Sequence, residues 1–374
     1  MSISSLELRT KITSDARLEL WLEQVTVPKP AADEVVVRIE AAPLNPSDII
    51  LLLGPVDPAK IQAAGSRTRP TASASIPAER MSGLEARLDK ALSVGNEGAG
   101  IVVDAGSDVQ RYVGRTVAAR SPLGMYAQYR IVRASDCLKL PNGISARQGA
   151  SAIINPLTVL GMVETMRREG HSALVHTAAA SNVGQMLNRV CLMDGIPLIN
   201  IVRSPTQAEG LRLLGAKHVL DSSSAAFRRG LVAALEETGA TLAFDAIGGG
   251  TMAGTIVAAM EEALGAKAAS FSRYGSPIHK QVYIYGMLNP GPRILEGNLG
   301  MAWAVSGWLM TWFYGKIDSS TAQRLRDRVT NELTTTFASH YTSEISLQEA
   351  LSPETIVAYS RRATGAKFLM RPNG

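Results

Sequence analysis

The sequence predicts an α/β protein in which a parallel, doubly wound sheet follows a smaller β-barrel-like region. Two changes of pattern along its 374 residues predict this. Up to about residue 150, short β-branched or alternating runs are separated by turns. From about 150 onward, strands and helices alternate with short connections, the pattern of a parallel sheet covered on both faces. Hydrophobic residues make up 46% and charged residues 19%, which is too apolar a mixture for a disordered chain. A chain of this length buries enough surface to fold without disulfides.

The first region contains β runs at 35–39, 100–104, 116–119 and 126–132. Residues 54–94 interrupt it with four prolines, a Ser/Thr/Ala-rich stretch, an expected short helix at 82–92 and six basic residues. A connection this long predicts either a mobile surface insertion or a lid. In the second region, strands are expected at 172–177, 198–202, 219–220, 241–247 and 281–285. Helices are expected at 183–193, 205–214, 225–237 and 251–264.

Two cysteines, Cys137 and Cys191, build neither a disulfide framework nor a four-thiolate zinc site. The N-terminus lacks an apolar core and a small-residue cleavage site, so a cytoplasmic setting is expected. The net charge of +5 is carried by scattered single residues and pairs, a distribution that argues against nucleic-acid binding and biases the chain toward small anions. Residues 297–315 carry no charge and hold three of the four tryptophans. Their glycines and evenly spread Trp argue against a membrane span and for a buried helix, a pocket wall or a subunit interface.

The segment from Leu174 to Gly184 joins the first strand of the second region to its helix. Ala178, Ala179, Ala180 and Ser181 let the backbone approach a pyrophosphate at a helix N-terminus, although they do not spell the glycine fingerprint. At the end of the next strand an NAD site places a carboxylate and an NADP site an arginine. Here Arg203 and Ser204 follow Val202, so a guanidinium and a hydroxyl are offered to a 2′-phosphate.

These residues, with several ordered motifs, resemble the medium-chain dehydrogenase/reductase superfamily, in particular its zinc-free quinone oxidoreductase and enoyl-thioester reductase branch. The motifs run from Ala42 to Asp48 (APLNPSD), Gly95 to Val102 (GNEGAGIV), Tyr126 to Tyr129, Asn155 to Thr158, Leu214 to Val219 and Phe244 to Gly249. The resemblance implies a Rossmann sheet inserted in a GroES-like catalytic domain: residues 1–154, with the 54–94 insertion, then a cofactor-binding domain at 155–315 and a return at 316–374. The cofactor would lie between the two domains. It implies that Asn155 and Thr158 approach the nicotinamide, that Ala180, Ser181, Asn182 and Val183 meet the pyrophosphate, and that Ile247, Gly248, Gly286 and Met287 line the nicotinamide ribose and ring. Lys367, in the segment Thr364 to Lys367, matches a C-terminal lysine that reaches the cofactor. A homodimer pairing edge strands around 281–285 is also implied.

Zinc-dependent members hold their metal with cysteine and histidine from the two N-terminal motifs. Those positions read Asn45 and Asn96, and all five histidines lie beyond residue 170, so no zinc is expected. Without a Lewis acid, hydride transfer from NADPH to an electron-poor acceptor, a quinone or an activated alkene, makes the smaller demand. Asn45 and Asn96 are candidate hydrogen-bond donors and Tyr126 a candidate proton source. The tyrosine that the enoyl-thioester branch carries soon after the first motif is missing from residues 49–55. A zinc alcohol dehydrogenase and a nucleotide-binding protein without turnover are the alternatives.

Overall fold

The computed structural model describes residues 3–361 and 365–374. The chain divides into two units, Met1–Ile154 with Arg328–Gly374, and Asn155–Asp327.

The first unit opens on a hairpin that the sequence reading missed. Strands β1 (Ile3–Ile12) and β2 (Arg17–Val27) pair antiparallel from Ile3 opposite Val27 to Ile12 opposite Leu18. Leu8, Ile12, Leu18 and Leu20 face inward and are almost fully buried, the period-two signature of a half-buried sheet. Strand β3 (Glu34–Pro43) starts on the β-branched run at 35–37 and leads into helix α1 (Pro46–Leu53), capped by Asn45. The expected insertion is woven into this sheet. Strands β4 (Gln62–Gly65) and β5 (Pro70–Ser75) form a hairpin whose β5 pairs with β2. The expected helix at 82–92 is one 3₁₀ turn at Glu85–Arg87 followed by the short strand β6 (Leu92–Ser93) on β1. Arg87 reaches the carbonyl of Leu51 and Arg80 that of Pro55, so both arginines satisfy carbonyls around the C-terminal end of α1.

Strands β7 (Gly98–Ala105), β8 (Thr116–Ala119), β9 (Tyr129–Arg133) and β10 (Cys137–Lys139) form a second sheet around β3, and the short helix α2 (Ala146–Gly149) follows.

Helix α3 (Ile154–Arg168) carries the chain into the second unit. There β11 (Leu174–His176), α4 (Asn182–Asp194), β12 (Leu198–Val202), α5 (Pro205–Leu213) and β13 (His218–Asp221) alternate. They are followed by α6 (Phe227–Thr238), β14 (Leu242–Asp245), the short β15 (Gly248–Gly250), α7 (Met252–Ala266) and β16 (Lys280–Ile284). Strand β17 (Asn289–Arg293) pairs with β15, and β18 (Trp303–Gly307) with β16. All pairs of the main sheet are parallel, in the order β13-β12-β11-β14-β16-β18. The order reverses between β11 and β14, and in an open α/β sheet ligands bind beyond the strand carboxyl ends at that point.

Two expectations are corrected here. The 297–315 segment is not one buried helix but the edge strand β18 followed by the five-residue helix α8 (Met310–Tyr314). Trp308 is buried edge-on against Phe244 and donates to the hydroxyl of Thr165, whereas Trp312 is exposed. Nor is the 281–285 strand an edge available for pairing with a second copy, because β14 and β18 flank it.

The second unit also extends beyond residue 315, through the start of α9 (Ser319–Asn331), to Asp327. Arg324 and Arg168 both bind Glu164, and Arg168 reaches Asp318, so charge pairs tie this stretch to α3. The chain then returns to the first unit with β19 (Ser343–Ile345), α10 (Pro353–Ser360) and β20 (Phe368–Met370), which pairs with both β19 and β3. Among the described residues no helix is long and apolar enough to cross a membrane.

The most buried ion pair of the second unit joins Lys280 on β16 to Glu261 on α7 at 2.6 Å, with Lys280 fully buried. Breaking one side strands a charge. Lys280→Met should therefore cost about 3–5 kcal/mol in urea unfolding, and adding Glu261→Gln should recover much of the loss.

Candidate active site

The polar centre of the first unit is built around Glu97, which has no solvent exposure. One carboxylate oxygen accepts from the Asn45 side chain at 3.0 Å, and the other accepts from the backbone N–H groups of Ile153 and Ile154 at 3.0 and 2.8 Å. Asp48, on the first turn of α1, is nearly as buried and accepts from the backbone of Asn45 (2.9 Å) and Asn96 (2.8 Å). Burial pushes the Asp48 carboxyl up to about 7, against the pull of these two N–H groups, and the neighbouring Glu97 adds to the rise. Burial likewise raises Glu97, while Lys367 and its hydrogen bonds hold it down.

Asn45 and Asn96 thus come together through Asp48, by different roles. Asn45 is buried with one amide hydrogen on Glu97. Asn96 is exposed and its side chain donates to Ser47 at 2.9 Å. Tyr126 is fully buried, its O–H donates to the carbonyl of Pro43 at 2.9 Å, and burial pushes its phenol well up. Its proton is therefore committed to holding the turn before Asn45.

Lys367, expected from the sequence, donates to Ser151 at 2.7 Å. Ser151 in turn shares a hydrogen bond of 2.8 Å with the Tyr341 hydroxyl. Thr364, of the same motif, lies outside the described residues. Ser151 and Tyr341 carry no sequence signal, being 190 residues apart. Glu97 and Asp48 lie inside the GNEGAGIV and APLNPSD motifs, where sequence alone does not mark them as buried charges.

Carboxamides at 45 and 96, one of them already donating to a carboxylate, do not form a zinc donor set. Among the described residues no three His, Cys, Asp or Glu side chains gather where they could hold a metal ion.

In the second unit the turn after β11 is tight. Ala178 adopts a φ of +50°, a left-handed conformation that costs a non-glycine residue about 1 kcal/mol. Ser181 caps α4 by accepting from the N–H of Gly184 at 3.2 Å. A Cβ on Gly184 would lie 2.2 Å from the carbonyl oxygen of Ala179, so only glycine allows helix and turn to pack this closely. The small side chains at 178–181, the strained turn and the helix start fit a pyrophosphate.

At the switch point, the buried Asp245 accepts from the Thr177 hydroxyl (2.6 Å) and from the N–H groups of Ile247 (2.9 Å) and Gly248 (3.1 Å). This clasp fixes the backbone at two expected cofactor positions. Gly286 follows β16 against Ala246, and Met287 is exposed. Asn155 and Thr158 are buried on the first turns of α3. Arg203 is exposed just past β12, and its backbone N–H bonds Gln207. The Ser204 oxygen caps α5 by accepting from the Gln207 N–H at 3.3 Å.

Residues 31–142 match the alcohol dehydrogenase GroES-like domain. The chain is 31% identical over 158 residues to the quinone oxidoreductase of Pseudomonas aeruginosa, covering 41% of this chain and 49% of that protein. It is 29% identical over 241 residues to the mitochondrial enoyl-[acyl-carrier-protein] reductase of Caenorhabditis elegans, covering 62% of this chain and 60% of that one. The chain thus spans about half to three fifths of these curated relatives. A crystal structure from Mesorhizobium loti, described as an NADPH:quinone reductase, superposes over the full length of both chains with a TM-score of 0.75 at 22% identity, a likeness of fold. Residues 31–142 thus match a GroES-like domain, and over the matched stretches the chain is similar to quinone oxidoreductases and enoyl reductases.

His176, at the end of β11, is fully buried, bonds the Tyr285 hydroxyl at 2.8 Å, and is pulled down to about 3 by burial. A lowered folded-state value means that its contribution is complete above the unfolded value of about 6.5 and is lost as pH falls toward 3. Between pH 6 and 4 the wild type should lose up to about 3 kcal/mol of stability relative to His176→Gln. Urea midpoints across that range test this.

Proposed function

We propose that this protein is a zinc-independent, NADPH-dependent reductase that transfers a hydride to an electron-poor acceptor, a quinone or a carbon–carbon double bond conjugated to a carbonyl. The observation that carries this reading is the polar centre of the first unit. There Asn45, oriented by the buried Glu97, stands where a zinc enzyme needs a thiolate. The relatives' names point the same way, to quinones and to enoyl thioesters.

In this reading the 178–183 turn and the start of α4 hold the pyrophosphate, and Arg203, helped by Ser204, holds a 2′-phosphate. Ile247 and Gly248, fixed by Asp245, and Gly286 and Met287 line the nicotinamide end together with Asn155 and Thr158. The coenzyme, when bound, supplies the hydride. Glu97 takes one of the two Asn45 amide hydrogens and leaves the second to stabilise negative charge developing on the acceptor. Asn96 offers a second, more exposed donor. A homodimer would use β18, the edge of the parallel sheet, flanked by the exposed Met301, Leu309 and Trp312.

Four outcomes are expected. NADPH should quench protein fluorescence saturably, and Arg203→Ala should reduce the NADPH-over-NADH preference about tenfold or more, as removal of one charge-assisted hydrogen bond does. Oxidation of NADPH by a quinone or an enone should persist in a chelator. Light scattering at micromolar concentration should report a dimer, and a monomer would remove the β18 interface.

A further inference from the structure

We propose that His176 and Asn200 bind one buried water molecule between β11 and β12, and that this water completes a directed chain of hydrogen bonds from Tyr285 to the end of α5. The inference needs only the second unit and stands apart from the reductase reading. It starts from two buried polar atoms that have no partner among the described residues, Nδ1 of His176 and Oδ1 of Asn200. Both side chains are fully buried, where a donor or acceptor left alone costs the desolvation of that group.

The register of the sheet brings the two together. His176 and Asn200 are partners across the parallel β11–β12 pair, so their side chains leave the same face of the sheet. Neighbouring strands lie about 4.8 Å apart, a spacing that suits one small molecule shared by two flanking side chains. The next neighbours in the same register are Phe244 on β14 and Val219 on β13, and neither side chain offers a polar atom.

The direction of each bond is fixed from the two ends. At one end the carbonyl of Leu214, at the cap of α5, can only accept, so Asn188 on α4 turns its NH2 group to it at 3.2 Å. The Asn188 oxygen accepts from the Asn200 NH2 group at 3.4 Å, which leaves the Asn200 oxygen as an unused acceptor. At the other end the Tyr285 hydroxyl lies 2.8 Å from Nε2 of His176. A phenol donates better than it accepts, so Tyr285 donates to Nε2 and the ring carries its own proton on Nδ1. Burial pulls the ring down to about 3, so it is neutral and holds that single proton. The two ring nitrogens point away from each other, and a ring bonded toward Tyr285 presents Nδ1 toward β12.

A donor on β11 thus faces an acceptor on β12, and the two atoms do not reach each other directly. Both belong to neutral groups, so the pair suits a neutral ligand rather than an ion. One water accepts from Nδ1–H and donates to Oδ1, which satisfies both atoms at once.

The test uses the full-length protein. With histidine labelled with heavy nitrogen, long-range proton–nitrogen correlation at neutral pH reads the tautomer, and His176→Gln assigns the signal. A protonated Nδ1 and a bare Nε2 are expected; a protonated Nε2 overturns the chain. A crystal structure should show one water within hydrogen-bond distance of both atoms. A direct bond between the two side chains, or no water touching both, sinks the proposal. A double-substitution cycle then asks whether the two residues act through a shared molecule. Asn200→Leu should lower the urea midpoint markedly less in the His176→Phe background than in the wild type, because the water has already lost one anchor. Tyr285 loses its partner in both His176→Phe proteins, so its contribution cancels. Equal lowering in the two backgrounds contradicts a shared water. The wild-type spectrum and crystal decide the matter even where a variant fails to fold. None of these measurements involves NADPH or an acceptor, so their failure leaves the reductase reading as it stands.

Discussion

A single carboxylate with no access to water organises the first unit. Glu97 would be prohibitively costly to bury alone, and it is tolerated because three donors surround it: the Asn45 amide and the backbone N–H groups of Ile153 and Ile154. The three donors come from two distant parts of the chain. Asn45 caps α1, and Ile153 and Ile154 lead into α3, where Asn155 and Thr158 follow. Lys367 adds charge from the C-terminal return. Removing the carboxylate would leave several of these groups unsatisfied at once, so the centre is held by shared satisfaction rather than by apolar packing alone.

The second unit solves a parallel problem at the switch point of its sheet. Asp245 uses its buried carboxylate to hold Thr177 and the N–H groups that follow β14, giving the turn from β14 into β15 a fixed backbone. Next to it, the turn after β11 accepts strain at Ala178 and closes against Gly184. Rigid backbone at both places is what a ligand held by main-chain donors requires.

Much of the second unit was legible in the sequence, because its strands and helices alternate as local patterns, several bounded by a cap: Ser181 before α4, Ser204 before α5 and Gly239 after α6. The Asn45 and Asn96 segments were also legible, since short-range motifs carry them. What escaped depended on long-range pairing. The β1–β2 hairpin, the joining of the 62–75 hairpin to β2, and the parallel docking of the Trp-rich segment on β16 are set by register between distant strands. An uncharged run of 19 residues reads equally as helix or strand until its partner is known. Ser151 and Tyr341 escaped for the same reason: neither residue is unusual, and only the fold brings them to Lys367.

The central claim is that the chain uses its own polar groups, with no metal, to direct a hydride onto an electron-poor carbon. The most direct measurement is transfer of label from NADPH deuterated at C4 of the nicotinamide to an enone, in the presence of a chelator, read by mass spectrometry of the product. The account predicts one deuterium per product molecule, carried from one face of the coenzyme only. A coenzyme that binds but passes no label to any quinone, enone or enoyl ester, or transfer that requires added zinc, would contradict it.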